Sequence, residues 1–85
     1  MANVLITGAS RGIGYELAAQ YSGLGHRVYA TCRNPDGSGQ LRDLSDQSNG
    51  AVSVHSMDVG DSGSVATCAN ELKDVSVDIL INNAG

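Results

Sequence analysis

The 85-residue sequence lacks several features that define common protein classes. It has no apolar run long enough to cross a membrane, and its first residues lack the length and the basic flank of a secretory signal. Five lysines and arginines stand against nine aspartates and glutamates, and the net charge of −4 argues against nucleic acids and anionic membranes as partners. There is no internal repeat, and the length suits one small domain or part of a larger one.

The sequence is also poor in cysteine. Cys32 and Cys68 show neither a C-x-x-C motif nor the spacing of a Cys/His metal site, so no metal is expected. Both residues are predicted to be buried free thiols; a disulfide between them or a reactive thiol is the alternative. Together with the missing signal, free thiols predict the reducing cytoplasm as the compartment.

What the sequence does contain is a regular alternation of strand and helix patterns. Short apolar runs predict four strands, in "ANVLITG", "HRVYATC", "AVSVHSMDV" and "VDILINNAG". Apolar residues three or four apart predict a helix that begins at Gly12 and ends near Gly25, which is expected to be left-handed. The same spacing predicts a weak helix in "QLRDLSDQ" and a third helix in "DSGSVATCANELKD", with Asp61 or Ser62 as its N-cap. The order predicts an α/β fold, a partial Rossmann-type doubly wound parallel sheet of four strands in order 3-2-1-4 with three helices.

Two polar, glycine-bearing segments fall at the same place in this predicted sheet. In such sheets, ligands bind at the carboxyl ends of the strands, at the point where the strand order reverses. The segments "GASRGIG" and "NNAG" lie at the ends of the first and fourth strands, beside that point. A helix N-terminus offers free N–H groups and partial positive charge to a phosphate. Gly8 allows a tight exit from the strand, while Gly12 and Gly14 let a pyrophosphate approach and the helix pack closely. A glycine-rich connection without a ligand is the alternative.

Three motifs in these segments resemble those of one family. "TGASRGIG", from Thr7 to Gly14, resembles the cofactor fingerprint of the short-chain dehydrogenase/reductase family, and "NNAG", from Asn82 to Gly85, resembles its next signature. "DV" at Asp58 and Val59 is similar to the family's adenine contact. The motifs occur in family order over essentially the whole chain. The resemblance implies that residues 1–85 are the N-terminal part of a dinucleotide-binding domain, truncated after the fourth strand.

The resemblance also implies roles for individual residues. The diphosphate and the adenosine ribose would be lined by Gly8, Ser10, Arg11, Gly12, Ile13 and Gly14. Asp58 would accept a hydrogen bond from the adenine amino group beside the backbone of Val59; a solvated cap on the following helix is the alternative for Asp58. The ribose nearer the nicotinamide would be approached by Asn83, Ala84 and Gly85. Asn82 is expected to tie the fourth strand to its neighbours or to bond within its loop.

The end of the second strand distinguishes between the two nicotinamide dinucleotides. NAD sites usually carry an acidic residue there, which binds the ribose 2′-hydroxyl. This sequence has Arg33 instead, and the next carboxylate, Asp36, lies beyond a proline. An arginine can hold a 2′-phosphate with paired, charge-assisted hydrogen bonds, and Arg11 could reach the same phosphate from the other side. Either arginine alone is compatible with a solvated surface charge, but together they favour NADP(H) over NAD.

The catalytic residues that the resemblance implies are absent. The family's hydride transfer uses a serine and a tyrosine that is followed four residues later by lysine. None of the three tyrosines precedes a lysine at that distance, and the only lysine is Lys73. His26 and His55 are isolated and are expected to be structural. The sequence predicts no catalytic and no metal-binding residue.

Three functions remain open on the sequence alone. The favoured one is the cofactor-binding half of an NADP-dependent oxidoreductase that acts on a carbonyl or alcohol. The second is a non-catalytic dinucleotide-binding module. The third is a structural fragment that pairs through the open edge of its fourth strand, "VDILIN", whose apolar character also predicts self-association.

Overall fold

The structure, a computed structural model, describes residues 1–83. Ala84 and Gly85, for which the sequence predicts cofactor contacts, lie outside the described residues. Strands and helices alternate as predicted. The elements are β1 (Asn3–Thr7), α1 (Gly12–Gly23), β2 (Arg27–Cys32), α2 (Gly39–Gln47), β3 (Val52–Ser56), α3 (Ser62–Glu71) and β4 (Ile79–Asn82).

The four strands form one parallel sheet in the order β3-β2-β1-β4. This confirms the predicted partial Rossmann-type α/β fold and its strand order. The register pairs Thr7 with Asn82 and Cys32 with Ser56. The ends of β1 and β4 therefore lie side by side, as do those of β2 and β3, and the segments that follow all four strands emerge at one edge of the sheet.

The hydrophobic core lies on one face of the sheet. Val4, Val28 and Val52 form a row across β1, β2 and β3, and each is 2% exposed or less. Ala18 from α1 and Leu41 from α2 are fully buried in the same cluster. Burial of apolar surface stabilises the folded state by roughly 25 cal/mol per Å², so this packing holds α1 and α2 against the sheet.

The opposite face of the sheet is covered less completely. Tyr29 and Ser53 point to this side and are half-buried. The helix α3 reaches the same face, where the carboxylate of Glu71 lies 3.5 Å from Nδ1 of His55. In β4, at the edge of the sheet, the side chain of Leu80 is 63% exposed. Within residues 1–83, no helix is long and apolar enough to cross a membrane.

The helix ends match their sequence signals. Gly25, which follows the C-cap Leu24 of α1, has a φ of +89° and so lies in the predicted left-handed region. Its N–H donates to the carbonyl of Ser22, and the N–H of His26 donates to the carbonyl of Tyr21, which satisfies the last turn of the helix. At the start of α3, the carboxylate of Asp61 accepts two backbone N–H groups of the first helical turn, so Asp61 and not Ser62 is the cap.

The segment after β2 contains one regular element that the sequence did not predict. Residues Pro35–Gly37 form a single 3₁₀ turn. The side chain of Asn34 accepts a hydrogen bond from the Gly37 N–H at 3.3 Å, and proline supplies the preset φ at the first position of the turn. The proline and glycine of this stretch therefore shape a defined turn.

Candidate functional site

A glycine-rich turn joins β1 to α1 at the carboxyl edge of the sheet. Gly8 and Gly12 have φ values of +64° and +61°, in the left-handed region where a side chain is costly. Between them, the N–H of Ala9 donates to the carbonyl of Thr31 at 2.9 Å, which ties the turn to the end of β2. The tight exit that the sequence predicts at Gly8 is therefore present.

The first turn of α1 carries backbone donors without a protein acceptor. Arg11 is the N-cap, and its side chain makes no capping bond. The first hydrogen bond of the helix runs from the N–H of Tyr15 to the carbonyl of Arg11 at 3.4 Å. In the described part of the chain, the N–H groups of Gly12, Ile13 and Gly14 meet no acceptor. Since these groups also carry the positive end of the helix dipole, the position suits an anion.

Gly14 brings α1 close to the end of β4. It is buried, and a Cβ at this position would collide with the carbonyl oxygen of Gly8 and come within 2.7 Å of Nδ2 of Asn83. That same Nδ2 donates to the Gly8 carbonyl at 3.1 Å. Gly14 thus permits close packing of the helix and does not line the cavity described below.

Thr7 connects the glycine turn to the segment after β4, a role that the sequence did not predict. Its hydroxyl donates to Oδ1 of Asn82 at 3.1 Å and accepts the N–H of Asn83 at 3.0 Å. Asn82 therefore ties β4 to β1, as one of its two expected roles required. The available signal was a threonine that closes an apolar strand, but nothing local indicated its partner 75 residues away.

The strand ends surround an open cavity of about 630 Å³. Nine of the predicted cofactor-binding residues line it: Gly8, Ser10, Arg11, Gly12, Ile13, Arg33, Asp58, Val59 and Asn83. Three further lining residues were not predicted from the sequence, namely Cys32, Met57 and Gly60. Each of the three directly precedes or follows a predicted residue, so the only sequence signal was proximity to a strand end.

Asp58 faces the cavity from a turn beyond the end of β3. Its N–H donates to the hydroxyl of Ser64 and its Oδ1 accepts the N–H of Gly60, both at 2.9 Å. Oδ2 has no partner within residues 1–83 and can accept a further hydrogen bond. Because Asp61 caps α3, the alternative role of Asp58 as that cap is not the arrangement found.

Two guanidinium groups form a positive region at one side of the site. The exposed residues Arg11 and Arg33 line both the large cavity and an adjoining one of about 250 Å³. Neither has a carboxylate partner in the described chain. The first carboxylate after β2, that of Asp36, instead lies 3.7 Å from the guanidinium of Arg42. In a chain with a net charge of −4, these two unpaired arginines give this side of the cavity a local positive charge.

The histidines have structural contacts away from this cavity. Nδ1 of His26 accepts the N–H of Ala2 at 3.0 Å. His55 lies 2.9 Å from the hydroxyl of Ser53 through Nε2, and it contacts Glu71 through the other nitrogen. Both cysteines are free and buried, as the sequence predicts.

Sequence comparisons agree with this arrangement of fold and site. The family model for short chain dehydrogenases matches residues 2–85. The chain is 42% identical over 83 residues to a short-chain dehydrogenase/reductase of Pestalotiopsis microspora, and 40% identical over 89 residues to retinol dehydrogenase 8 of Bos taurus. The chain belongs to the short-chain dehydrogenase/reductase family. Each alignment covers 96% of this chain and 28% of the relative, so the chain spans little more than a quarter of their length.

Solved structures of the family superpose on the whole sheet. A carbonyl reductase from Pseudomonas aeruginosa PAO1, in complex with NADP, matches with a TM-score of 0.93 and 36% identity, over 100% of this chain and 39% of that one. A short-chain dehydrogenase/reductase from Burkholderia multivorans with bound NADP matches with a TM-score of 0.91 and 30% identity, over 99% and 36%. Both neighbours contain the cofactor that the two arginines of this chain favour.

Proposed function

We propose that this chain is the NADP(H)-binding part of a short-chain dehydrogenase/reductase and forms the first part of its dinucleotide-binding domain. The whole protein would transfer hydride reversibly between NADP(H) and a carbonyl or alcohol, with the nicotinamide supplying or accepting the hydride. The observation that carries the proposal is the pair of unpaired guanidinium groups, Arg11 and Arg33, beside a helix N-terminus with free N–H groups.

The residues of the large cavity fit a dinucleotide. The amides of Gly12 and Ile13 would bind the diphosphate, because they are free and no Cβ stands at Gly12 to keep the ligand away. The free Oδ2 of Asp58 would accept the adenine amino group beside Val59. Asn83, which lines the same cavity after β4, would lie near the second ribose.

The preference for the phosphorylated cofactor follows from charge. A 2′-phosphate between two guanidinium groups gains charge-assisted hydrogen bonds, whereas a 2′-hydroxyl gains much weaker ones. Asp36, the carboxylate nearest along the chain to this region, is engaged with Arg42. The described residues of this site would therefore contribute cofactor binding to the proposed reaction.

Titration of the chain with NADPH and NADH tests this proposal. We expect NADPH to bind more tightly, and Arg33→Asp to shift the preference toward NADH. Arg27→Asp is the matched control, because Arg27 is also exposed but begins β2, whereas Arg33 directly follows the other end of that strand. Equal affinities for the two cofactors in the unaltered chain would refute the preference, and equal effects of the two substitutions would refute the role of Arg33 in it.

Association of two copies through β4 is a second candidate, favoured by the position of that strand. Among the described strands, β4 pairs with β1 alone, and Val77 and Leu80 are 40% and 63% exposed. Open, apolar strand edges template pairing with another chain. Sedimentation at increasing concentration should reveal dimers that Leu80→Lys reduces; a monomer at every concentration would contradict this proposal.

The buried, unpaired state of both thiols supports a reducing compartment, for which the cytoplasm is our proposal.

A further inference from the structure

A second concavity adjoins the large cavity on the side of the two arginines. It measures about 250 Å³ and shares Ser10, Arg11 and Arg33 with the larger space. Its remaining wall is the turn after β2, through Asn34, Gly37 and Ser38. This turn adds polar groups to the region where the proposed function places the 2′-phosphate.

The turn holds the side chain of Asn34 in one orientation. Oδ1 of Asn34 accepts the N–H of Gly37 at 3.3 Å, so the oxygen end of the amide is directed into the turn. The hydroxyl of Ser38 donates to the carbonyl of Asn34 at 3.1 Å and closes the same turn. The other end of the amide, Nδ2, has no acceptor within residues 1–83. Asn34 therefore lines the concavity together with the two arginines, and its amide retains a donor that no described residue uses.

We propose that Asn34 is a specificity-determining residue whose Nδ2 donates to the 2′-phosphate held by Arg11 and Arg33. The inference rests on the proposed function, since it assigns a third donor to the same ligand group. A neutral amide adds a hydrogen bond to the anion, and hydrogen bonds to charged groups are stronger than those to a hydroxyl. Because the turn fixes the amide before binding, little side-chain entropy is lost when the bond forms.

Gly37 is required for this orientation of the amide. A Cβ on Gly37 would lie 2.7 Å from Nδ2 of Asn34, closer than such atoms approach, and 3.2 Å from its Cγ, which is a tight contact. Gly37→Ala would therefore push the amide aside without altering any charge. Two residues further, a Cβ on Gly39 would meet nothing within 4 Å, so Gly39→Ala is a matched control in the same segment.

The test compares adenosine 2′,5′-bisphosphate with adenosine 5′-monophosphate by calorimetric titration of the chain. Both ligands probe the adenosine end of the site alone, and only the first carries the 2′-phosphate. We expect Asn34→Ala to weaken bisphosphate binding by about tenfold and to leave monophosphate binding unchanged. Asn34→Ser keeps an oxygen for the Gly37 N–H but lacks the Nδ2 donor, and it should show the same loss. Gly37→Ala should weaken bisphosphate binding, and Gly39→Ala should not.

The outcomes separate this inference from the function on which it rests. If the unaltered chain prefers the bisphosphate and Asn34→Ala and Asn34→Ser retain that preference in full, Asn34 is not a determinant and the arginines suffice. If the unaltered chain binds both ligands equally, the proposed preference for NADP(H) fails, and the role of Asn34 fails with it. If Asn34→Ala weakens both ligands alike, the residue supports the turn only, and the inference is again wrong.

Discussion

Replacement of Gly14 by alanine tests the closest approach between α1 and the end of β4. The new Cβ would collide with the carbonyl oxygen of Gly8, lie 2.7 Å from Nδ2 of Asn83 and 3.1 Å from Cα of Ala9. Two of these three atoms belong to the backbone, so they cannot be relieved by a change of rotamer. The helix has to move away from the strand ends, or the amide of Asn83 has to leave its hydrogen bond.

The size of the effect follows from three contributions. Overpacking of a rigid contact costs about 1–3 kcal/mol. Loss of the hydrogen bond from Asn83 to Gly8 costs about 1 kcal/mol. The higher helix propensity of alanine returns about 1 kcal/mol, because Gly14 is inside α1. We therefore expect the free energy of unfolding to fall by about 1–3 kcal/mol.

The same helix provides the control. Gly23 ends α1, a Cβ added there would meet nothing within 4 Å, and Gly23→Ala should gain up to about 1 kcal/mol of stability. Urea unfolding followed by circular dichroism measures both variants, since the sequence has no tryptophan to serve as a fluorescent probe. A Gly14→Ala chain at least as stable as the Gly23→Ala chain would refute the packing that we assign to Gly14.

Three further substitutions test single contacts by the same unfolding measurement. Thr7→Val leaves the side chain of Asn82 and the N–H of Asn83 without their hydroxyl partner, and it should lower the free energy of unfolding by about 1–3 kcal/mol. The control is Thr67→Val on the exposed face of α3, which should change that free energy by less than about 0.5 kcal/mol. Asp61→Ala removes the cap of α3 and should cost about 0.5–2 kcal/mol; an equal cost for the exposed Asp74→Ala would contradict the capping role. Burial, and then the charge of a nearby glutamate, raise the pKa of Cys68, so its folded state favours the neutral thiol. The free energy of unfolding should therefore fall as the pH rises above about 8.5, because the thiol of the unfolded chain ionises at a lower pH than that of the folded chain. Cys68→Ala should remove that part of the fall, and an unchanged alkaline profile would show that another group causes it.

The sequence predicted those features of the fold that depend on local pattern. The change from a strand period to a helical period at Gly12 and the left-handed end at Gly25 are set by neighbouring residues, and both occur where expected. The strand order followed from the alternation of elements, because right-handed crossovers leave few arrangements. The clustering of "GASRGIG" and "NNAG" at one edge followed from that order.

The features that were missed depend on which strands lie side by side and where they end. Cys32 and Met57 line the cavity because β2 and β3 are paired in register up to Cys32 and Ser56, and no local signal gives that register. The contact from Asn83 to Gly8 joins residues that are 75 positions apart. The 3₁₀ turn after β2 was not predicted, because the side-chain bond to Asn34 that shapes it is one of several local hydrogen bonds that such a segment can form.

The free amides at the start of α1 are the centre of the proposed function, and their resonances report on it directly. A ¹⁵N–¹H correlation spectrum of the chain, recorded during titration with NADPH, follows every backbone N–H at once. We expect the largest shifts at Gly12 and Ile13, with smaller shifts at Asp58 and none at Gly25 on the far end of the helix. Binding that leaves the Gly12 and Ile13 signals in place would contradict diphosphate recognition by this turn.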